Sequence, residues 1–587
     1  MMLKKNDHSN QSQLIEWTKL KVLIVDDQPS ASALLKGLLG NLDIHLIDIA
    51  NTYEDAIRYC MSNHYQLLLI DFHLDHALNG SELATLLRKK KLLAPDCGII
   101  MISGDHSIEV ILTTMTIDPD CFITKPITMA GLTKKVTQVC IDRNQRQSIY
   151  QAIECQDIPL AIQLCKQLLR LNGHNHKIEA LLLDLLIRQG EWDQVKRLTQ
   201  LLRYQNPTHK ITITEAHIAY HDGNIAQAIA ILEQLIMCSP LCVEAYDHLS
   251  NYQEENKQYY EALETAERAL KFTPSVSHRA LQVAQLAADL DKTDHLIEAG
   301  KTLATHLPII DVSWITCFAE FTAIFEQHFF AQTSDKKQRQ LLQQLKAIHQ
   351  RAYNRLLPKQ QPFLTTFGHI TLARFSLAQQ QSLKAKRRLM VGLSPYFYAI
   401  SKLPSVILTE VLPPLIVLGE TEIIAEIDNA LKLRDRFDGH SQNRLNALRQ
   451  NTVLINSVKT LVSELALTNE VLNNTMLTRH TQDALQRYDD ILIRYPYCSE
   501  AHLGRLQCLY LLNQLNEENT KQSIQAVSIM PLPEKLELWR TSLFEQMATR
   551  YTHPQQKNAA TSQLLRNQKY QLLASRHTEN IDAYTAA

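Results

Sequence analysis

The sequence predicts two regions of different fold class: an α/β domain with a doubly wound, five-stranded parallel sheet, and after it an all-α solenoid of helical repeats. Two observations support this prediction. Up to about residue 145, short apolar runs alternate with amphipathic stretches, as strands and helices do in a parallel sheet. From about Ser148 the strand signals vanish, helix formers dominate, and prolines recur at a nearly constant spacing.

The size and composition of the chain restrict its function. With 587 residues it exceeds what one hydrophobic core usually serves, so two or more domains are expected. The net charge is −1, from 60 Lys and Arg against 61 Asp and Glu, which disfavours a surface built to bind nucleic acid. The 11 cysteines lack metal-ligand spacing and fit a reducing cytoplasm. No apolar run reaches the roughly 18 residues of a membrane helix, so we expect a cytoplasmic protein without a membrane partner.

Four apolar runs end beside residues that can take part in chemistry. The first is followed by Asp26 and Asp27, and the others lead to Asp71, Ser103 and Lys125. Runs of this kind are typical of buried parallel strands, and the carboxyl ends of such strands meet at one edge of the sheet. We therefore expect the five side chains to converge. The runs are Lys21–Val25, Leu67–Ile70, Gly98–Ile102 and Cys121–Thr124.

The chemistry expected at this edge follows from its charges. Three clustered carboxylates repel one another and need a divalent cation, and ligands that are all oxygen suit Mg²⁺. A lysine and a hydroxyl opposite the metal can hold the oxygens of a phosphoryl group, whose transfer depends mainly on positioning and charge neutralisation. The pattern therefore predicts an aspartate that accepts a phosphoryl group.

One further strand and five helices complete the predicted domain. Pro29 stands at the first position of the first helix, where its missing N–H is tolerated. The strand is expected at Ile44–Ile49, and the helices at Ser30–Leu39, Tyr53–Asn63, Ser81–Lys91, His106–Thr116 and Met129–Arg143.

In its order of residues, the stretch Leu20–Asp142 resembles the receiver domain of bacterial two-component response regulators, which has a flavodoxin-like fold. The resemblance implies that Asp71 is the phosphoacceptor and that the donor is a sensor histidine kinase or a phosphotransfer protein. It implies Mg²⁺ ligands from Asp26, Asp27, Asp71 and the backbone carbonyl of His73. It also implies that Lys125 and Ser103 contact the phosphoryl group, that Phe122 is the switch aromatic, and that His73 and Asp105 tune dephosphorylation.

The second region shows an internal repeat. Pro207, Pro240, Pro274 and Pro308 are 33, 34 and 34 residues apart, and Gly190 and Gly223 are 33 apart. This helix–turn–helix period with a terminal proline resembles the tetratricopeptide repeat (TPR). Stacked units would form a solenoid with a concave groove for a protein partner. We expect first-helix residues to line this groove, among them Glu179, His217, Tyr246 and Asn251.

Beyond the fourth proline the repeat is hard to follow, and we expect diverged helical hairpins there. Four prolines should mark turns between them: Pro395, Pro404, Pro413 and Pro414. The expected organisation is a leader at 1–18, a receiver at 19–145, TPR-like repeats at 148–308, diverged helical repeats at 309–550 and a C-terminal tail at 551–587.

These features favour a response regulator whose output is protein binding. The chain would not be an enzyme beyond the phosphoryl transfer and dephosphorylation of its own receiver. Two other classes stay open at this point, a regulator whose output binds nucleic acid and a constitutive adaptor or scaffold. A homodimer is compatible with the sequence, which does not identify the kinase or the target.

Overall fold

The computed structural model of the chain describes residues 16–550, except 75–77, 106, 108–109, 113–118, 206, 310–312 and 474–477. The predicted tail and nearly all of the predicted leader therefore lie outside the described residues. The chain forms two compact units. The chain passes from one unit to the other at three points, between Cys317 and Phe318, between Ala323 and Ile324, and between Ile348 and His349.

The first unit begins with a five-stranded parallel sheet, as predicted. The strands lie in the order β2-β1-β3-β4-β5, and all neighbours are parallel. Strand β2 begins two residues later than the expected Ile44, which is instead buried in the connection before it. The strands are β1 Lys21–Val25, β2 Leu46–Ala50, β3 Leu67–Asp71, β4 Gly98–Ser103 and β5 Cys121–Thr124.

Both faces of this sheet are buried, which explains the unbroken apolar runs. On strand β1, Leu23 and Val25 belong to the core under one face, while Val22 and Ile24 belong to the core under the other. Helices α2 and α3 cover the first face, and α1 with the start of α4 covers the second. These helices are α1 Pro29–Gly40, α2 Tyr53–Ser62, α3 Gly80–Lys89 and α4 Met129–Glu154. Most of the helix expected at His106–Thr116 lies outside the described residues, but residues 110–112 are helical.

Helix α4 connects the sheet to the helical region without a break. Leu132 and Val136, near its start, pack in the core of the sheet. Ile149 and Ala152, near its end, pack in the core of the following helices. With 26 residues the helix is longer than the expected Met129–Arg143, because its second half finds a new apolar partner.

The helical region begins with pairs of helices that turn in the same way. At each turn between the two helices of a pair stands a residue with positive φ: Gln156, Gly190, Gly223, Lys257 and Asp291, which are 34, 33, 34 and 34 residues apart. The repeat found in the sequence is therefore also a repeat of backbone conformation. The helices are α5 Ile158–Asn172, α6 His176–Arg188, α7 Trp192–Gln205, α8 His209–His221, α9 Ile225–Cys238, α10 Val243–Glu255, α11 Tyr259–Phe272, α12 Ser277–Asp289 and α13 Thr293–Thr305.

The rest of the described chain is also helical, in agreement with the predicted fold class. Helices α14 and α15 have 19 and 21 residues, against 13 to 15 in α5–α13, which is why the period disappears from the sequence. Among the described helices, none is both long and apolar enough to cross a membrane. The helices are α14 Ser313–Ala331, α15 Asp335–Arg355, α16 Gln361–Ala378, α17 Ser382–Leu393, α18 Ser405–Leu418, α19 Thr421–Lys432, α20 Gly439–Gln450, α21 Thr452–Asn473, α22 Thr478–Arg494, α23 Ser499–Leu511, α24 Glu517–Val527 and α25 Glu534–Arg550.

Two of the prolines expected at turns lie inside a helix instead. Helix α18 continues through Pro413 and Pro414. A proline inside a helix leaves the carbonyl four residues earlier without its usual donor. For Pro414 that carbonyl belongs to Glu410, and the side chain of Arg374 donates to it at 3.3 Å. The expectation of a turn was wrong at this point because a side chain distant in sequence replaces the missing N–H.

Candidate functional site

The residues predicted to carry the chemistry lie together at the carboxyl edge of the sheet. Asp26 and Asp27 directly follow β1, Asp71 ends β3, Ser103 ends β4 and Lys125 follows β5. One carboxylate oxygen from each of the three aspartates lies within 4.8 Å of the other two. Asp26 and Asp71 are buried, and Asp27 is exposed, so the cluster is open to solvent on one side.

The loop after β1 holds Asp26 in place. The backbone N–H of Gln28 donates to Asp26 Oδ1 at 2.9 Å. The buried hydroxyl of Ser32, in the first turn of α1, lies 3.3 Å from the backbone oxygen of Asp26. The carboxylate is therefore oriented by its own loop before any ligand arrives.

Lys125 is the cation that the described structure places against this cluster. Its Nζ lies 2.9 Å from Asp71 Oδ1 and 3.3 Å from Asp26 Oδ2. Burial raises the pKa of the Asp71 carboxyl, although the hydrogen bond from Lys125 opposes the shift. Burial alone would lower the pKa of Lys125, but its contacts with Asp71 and Asp26 raise it overall. One ammonium faces three carboxyl groups, so the site has a deficit of positive charge.

Gly80, the first residue of α3, makes a close backbone approach behind the predicted phosphoacceptor. Its N–H donates to the carbonyl of Phe72 at 2.8 Å. A Cβ at this position would lie 2.2 Å from the backbone oxygen of Asp71 and 2.8 Å from Cγ2 of Ile70. Only glycine allows α3 to begin so close to Asp71. The sequence showed the glycine, but this role depends on a contact that no local pattern reveals.

The hydroxyl of Ser103 is engaged with its own loop rather than with Asp71. Ser103 is buried, and its Oγ accepts from the backbone N–H of Asp105 at 3.0 Å. The side chain of Asp105 lies opposite His73, with His73 Nε2 3.6 Å from Asp105 Oδ2. A hydrogen bond from the backbone of Ser107 lowers the pKa of the Asp105 carboxyl. The two residues predicted to tune dephosphorylation thus face each other across the mouth of the site.

Phe122 and the residues near it connect this edge to the helical region. Phe122 is half-buried against the core that contains Val110. Two residues further along the helical segment 110–112, Leu112 packs against Val243 and Tyr246 of α10. The receiver and the repeats therefore share an apolar contact, which Leu112 makes.

Asp120, just before β5, forms a second and polar link to the helices. Its carboxylate accepts from the backbone N–H of Ile99 at 2.9 Å and pairs with the guanidinium of Arg146 on α4. Lys177 of α6 donates to the backbone oxygen of Asp120 at 3.2 Å. Sequence reasoning missed this residue, because an aspartate before a strand shows nothing of partners 26 and 57 positions away.

Two of the four residues expected in the groove are not available to a ligand. Glu179 is buried, and its carboxylate lies 3.0 Å from His174 Nδ1. Tyr246 is buried and donates to the backbone oxygen of Pro240 at 3.1 Å. His217 is half-buried, and burial lowers its pKa to about 4. Asn251 is exposed, as a groove residue would be.

The described residues offer what a hard divalent cation needs. Carboxylate and carbonyl oxygens suit Mg²⁺, which needs only one or two protein carboxylates and completes its shell with waters and phosphate oxygens. The cluster of Asp26, Asp27 and Asp71 fits this requirement, and its charge deficit favours a cation. Lys125 is placed to neutralise whatever negative group joins Asp71.

Comparison with known proteins identifies the sheet-containing domain. Residues 22–137 match the family model of the response regulator receiver domain. The chain therefore carries a receiver domain, as the resemblance of Leu20–Asp142 implied, followed by an all-helical region.

Receiver proteins are among the solved structures that are similar to this chain. A CheY-like receiver domain protein from Methanospirillum hungatei is 25% identical, over 22% of this chain and 98% of that chain, with a TM-score of 0.20. A two-component response regulator from Clostridium difficile is 27% identical, over 21% and 96%, with a TM-score of 0.19. The response regulator TrrA from Thermotoga maritima, solved in complex with Mg²⁺–BeF, is 28% identical, over 20% and 98%, with a TM-score of 0.19.

Proposed function

We propose that the chain is a two-component response regulator that accepts a phosphoryl group on Asp71 and signals through its helical region. The observation that supports this most directly is the buried carboxylate of Asp71 between Lys125 and the acidic pair. The donor would be a histidine kinase or a phosphotransfer protein. In the transfer, the N–P bond of the donor phosphohistidine breaks, its electron pair stays on the imidazole nitrogen, and a new P–O bond forms to an Asp71 carboxylate oxygen.

The residues around Asp71 would divide the work of this transfer. Asp26, Asp27, Asp71 and the backbone carbonyl of His73 would hold Mg²⁺, which when bound neutralises phosphoryl oxygens. Lys125, now paired with Asp71, would pair with the phosphoryl group instead. In this proposal the chain catalyses nothing beyond its own phosphorylation and dephosphorylation.

The new charge would then reorganise the loop after β4. The Ser103 hydroxyl would leave the backbone of Asp105 and donate to a phosphoryl oxygen. Phe122, which is half-buried beside this loop, would move inward into the space released. Such a movement biases a two-state element by a local change in charge.

The output would be the contact between receiver and repeats. Leu112 and Asp120 both belong to the part of the receiver that this movement affects, and both touch the helical region. A change there would alter how α10 and its neighbours present a surface to a protein partner. The repeat of helix pairs supports a TPR-like binding region, because stacked helix pairs are typical of surfaces that bind peptides and proteins.

The phosphoacceptor is tested with the full-length protein and acetyl phosphate, followed on a gel that retards phosphoproteins. We expect a Mg²⁺-dependent shifted band that the Asp71→Asn variant lacks. The Asp142→Asn variant makes the same chemical change at a half-buried position of α4 outside the acidic cluster and should shift like the parent. Labelling of Asp71→Asn, or full labelling in EDTA, would refute the assignment.

The output is tested by hydrogen exchange on the same protein with and without acetyl phosphate. We expect exchange in Val243–Phe272 to change on phosphorylation, and Leu112→Ala to produce part of this change without a phosphodonor. Leu34→Ala removes an exposed leucine of α1 and serves as the matched control. Identical exchange in the phosphorylated and unphosphorylated protein would exclude transmission through this contact.

A further inference from the structure

The second compact unit contains a cavity of about 520 Å³ that the receiver function does not use. Helix α17 forms its floor, His369 of α16 forms one wall, and Tyr497 in the connection before α23 forms another. Ligand pockets usually have volumes of about 300–1,000 Å³, so this one could hold a small molecule.

The lining of this cavity is strongly basic. Lys384, Arg387 and Arg388 lie at i, i+3 and i+4 on α17 and so share one helix face. No carboxylate belongs to the lining. Within the part of the chain that the structure describes, none of these three side chains has a carboxylate partner. Lys384 Nζ donates to Gln381 Oε1 at 3.0 Å, and Arg388 Nη1 donates to the carbonyl of Leu372 at 2.9 Å.

Among the residues that the structure describes, two buried nitrogen atoms of this lining have no hydrogen-bond partner. They are Nε of Arg387 and Nδ1 of His369. Leaving a buried donor unsatisfied costs roughly 1–3 kcal/mol, so such atoms are uncommon away from binding sites. Gly392 of α17 packs closely against His369, because a Cβ at Gly392 would lie 2.6 Å from Cβ of His369.

The pKa shifts of two lining residues also fit a site for an anion. Burial lowers the pKa of the Arg388 guanidinium. Burial also lowers the pKa of His369, and the charge of Arg388 adds to this shift. Neither shift has an anion among its causes, and an anion bound in the cavity would oppose both.

The rest of the lining is mixed. It contains three apolar or aromatic residues, Leu383, Val391 and Tyr497, and three polar residues, Gln380, Gln381 and Ser382. The backbone oxygen of Tyr497 accepts a 2.5 Å hydrogen bond from Nζ of Lys386, a fully buried residue that also pairs with Glu420 at 3.0 Å. The aromatic wall is therefore anchored on the same helix that supplies the cations.

We propose that this cavity binds a nucleoside 5′-monophosphate. Lys384, Arg387 and Arg388 would hold the phosphate, for which the planar arginine fork is well suited. The apolar residues and the Tyr497 ring would receive the base, since flat aromatic surfaces stack on one another. Neither the phosphate nor the base alone would use the whole lining.

The test is isothermal titration calorimetry of the full-length protein with the four ribonucleoside 5′-monophosphates, the four nucleosides and inorganic phosphate. We expect at least one monophosphate to bind with one site per chain and at least tenfold more tightly than its nucleoside or inorganic phosphate. Arg387→Gln and Lys384→Gln should each weaken that binding by about tenfold, as expected for loss of a charge-assisted hydrogen bond. Arg449→Gln removes an exposed cation elsewhere in this unit and should leave the binding unchanged.

Circular dichroism of each variant shows whether it is folded, and the exposed Lys384 keeps the test valid if Arg387→Gln fails to fold. Three results would overturn the proposal. One is the absence of binding by all four monophosphates at millimolar concentration. Another is equal binding by inorganic phosphate, and the third is binding that the Lys384→Gln variant retains in full.

Discussion

At the carboxyl edge of the receiver sheet three carboxylates face one ammonium, whereas in the second unit a buried ammonium meets one carboxylate. In the receiver, Asp26, Asp27 and Asp71 converge on Lys125. In the second unit, Lys386 and Glu420 are almost fully buried and pair at 3.0 Å. The first cluster has an excess of negative charge, and the second is neutral.

This difference separates a binding site from a structural anchor. Glu420 also accepts hydrogen bonds from the backbone N–H and the hydroxyl of Ser499. Its negative charge is therefore compensated by Lys386 and by these hydrogen bonds inside the protein. Asp71 lies in a cluster that a cation must complete. A buried ion pair with all partners present fixes local geometry, whereas an unbalanced cluster has perturbed pKa values and marks a functional site.

The largest effect is expected from breaking the balanced pair. Lys386→Met would leave the carboxylate of Glu420 buried without its cation, which destabilises a protein by roughly 3–5 kcal/mol. The urea midpoint of the second unit, followed by circular dichroism, should fall accordingly. The double variant Lys386→Met/Glu420→Gln removes both charges and should recover most of the loss. A single variant as stable as the parent would show that the pair is not an anchor.

The next largest effect is expected at Gly80. In Gly80→Ala the new Cβ would meet the backbone oxygen of Asp71, so α3 or β3 must shift, at a cost of about 1–3 kcal/mol. Phosphorylation by acetyl phosphate should slow as well, because Asp71, the proposed phosphoacceptor, moves. The control is Gly37→Ala in α1, where nothing lies within 4 Å and the same change should stabilise by about 0.5–1 kcal/mol. Equal thermal midpoints for the two variants would contradict the close approach.

The cluster of Asp26, Asp27 and Asp71 has an excess of negative charge. Removing one of these charges should therefore make the receiver more stable. Burial raises the folded-state pKa of Asp71, so its contribution to stability is present at low pH and is lost as the pH rises through that raised pKa. At pH 7 in the absence of Mg²⁺, Asp71→Asn should therefore raise the thermal midpoint by roughly 2–4 °C. The gain should shrink as the pH is lowered to about 4, close to the ordinary pKa of aspartate. A gain that does not depend on pH would exclude this charge as its cause.

The effect of a substitution on stability at the turns of the repeats should depend on whether the turn residue is glycine. Lys257 has a φ of 64° at a turn where Gly223, at 83°, has no Cβ to strain. Because a side chain in this conformation costs about 1 kcal/mol, Lys257→Gly should stabilise by up to that amount. Gly223→Ala should destabilise by a similar amount. Thermal midpoints of the two variants should move in opposite directions, and a shift of both in the same direction would contradict the reading of these turns.

The smallest effect is expected at the mouth of the receiver site. The side chains of His73 and Asp105 face each other, with His73 Nε2 3.6 Å from Asp105 Oδ2, so they should alter the path of water rather than the transfer itself. His73→Ala/Asp105→Ala should change the decay rate of the phosphorylated protein severalfold while phosphorylation proceeds. The decay after removal of acetyl phosphate measures this, and an unchanged rate would contradict the tuning role.

The sequence by itself determined the α/β class of the receiver and the meeting of its polar residues. A residue that directly follows a buried strand has a fixed place once the strands are parallel, so Asp71, Ser103 and Lys125 had to lie at one edge. The regular helix pairs were equally readable, because a period of 33 or 34 residues repeats along the chain itself.

Only the tertiary structure decided which residues approach one another from distant parts of the chain. The closeness of Gly80 to the Asp71 carbonyl depends on where α3 begins in space, and Tyr246 is buried in a cluster against which Leu112 of the receiver packs. The helix through Pro414 depends on Arg374, which donates to the carbonyl that the proline leaves free. Local patterns encode the conformation of a segment and the face it buries, whereas these contacts depend on the docking of complete elements.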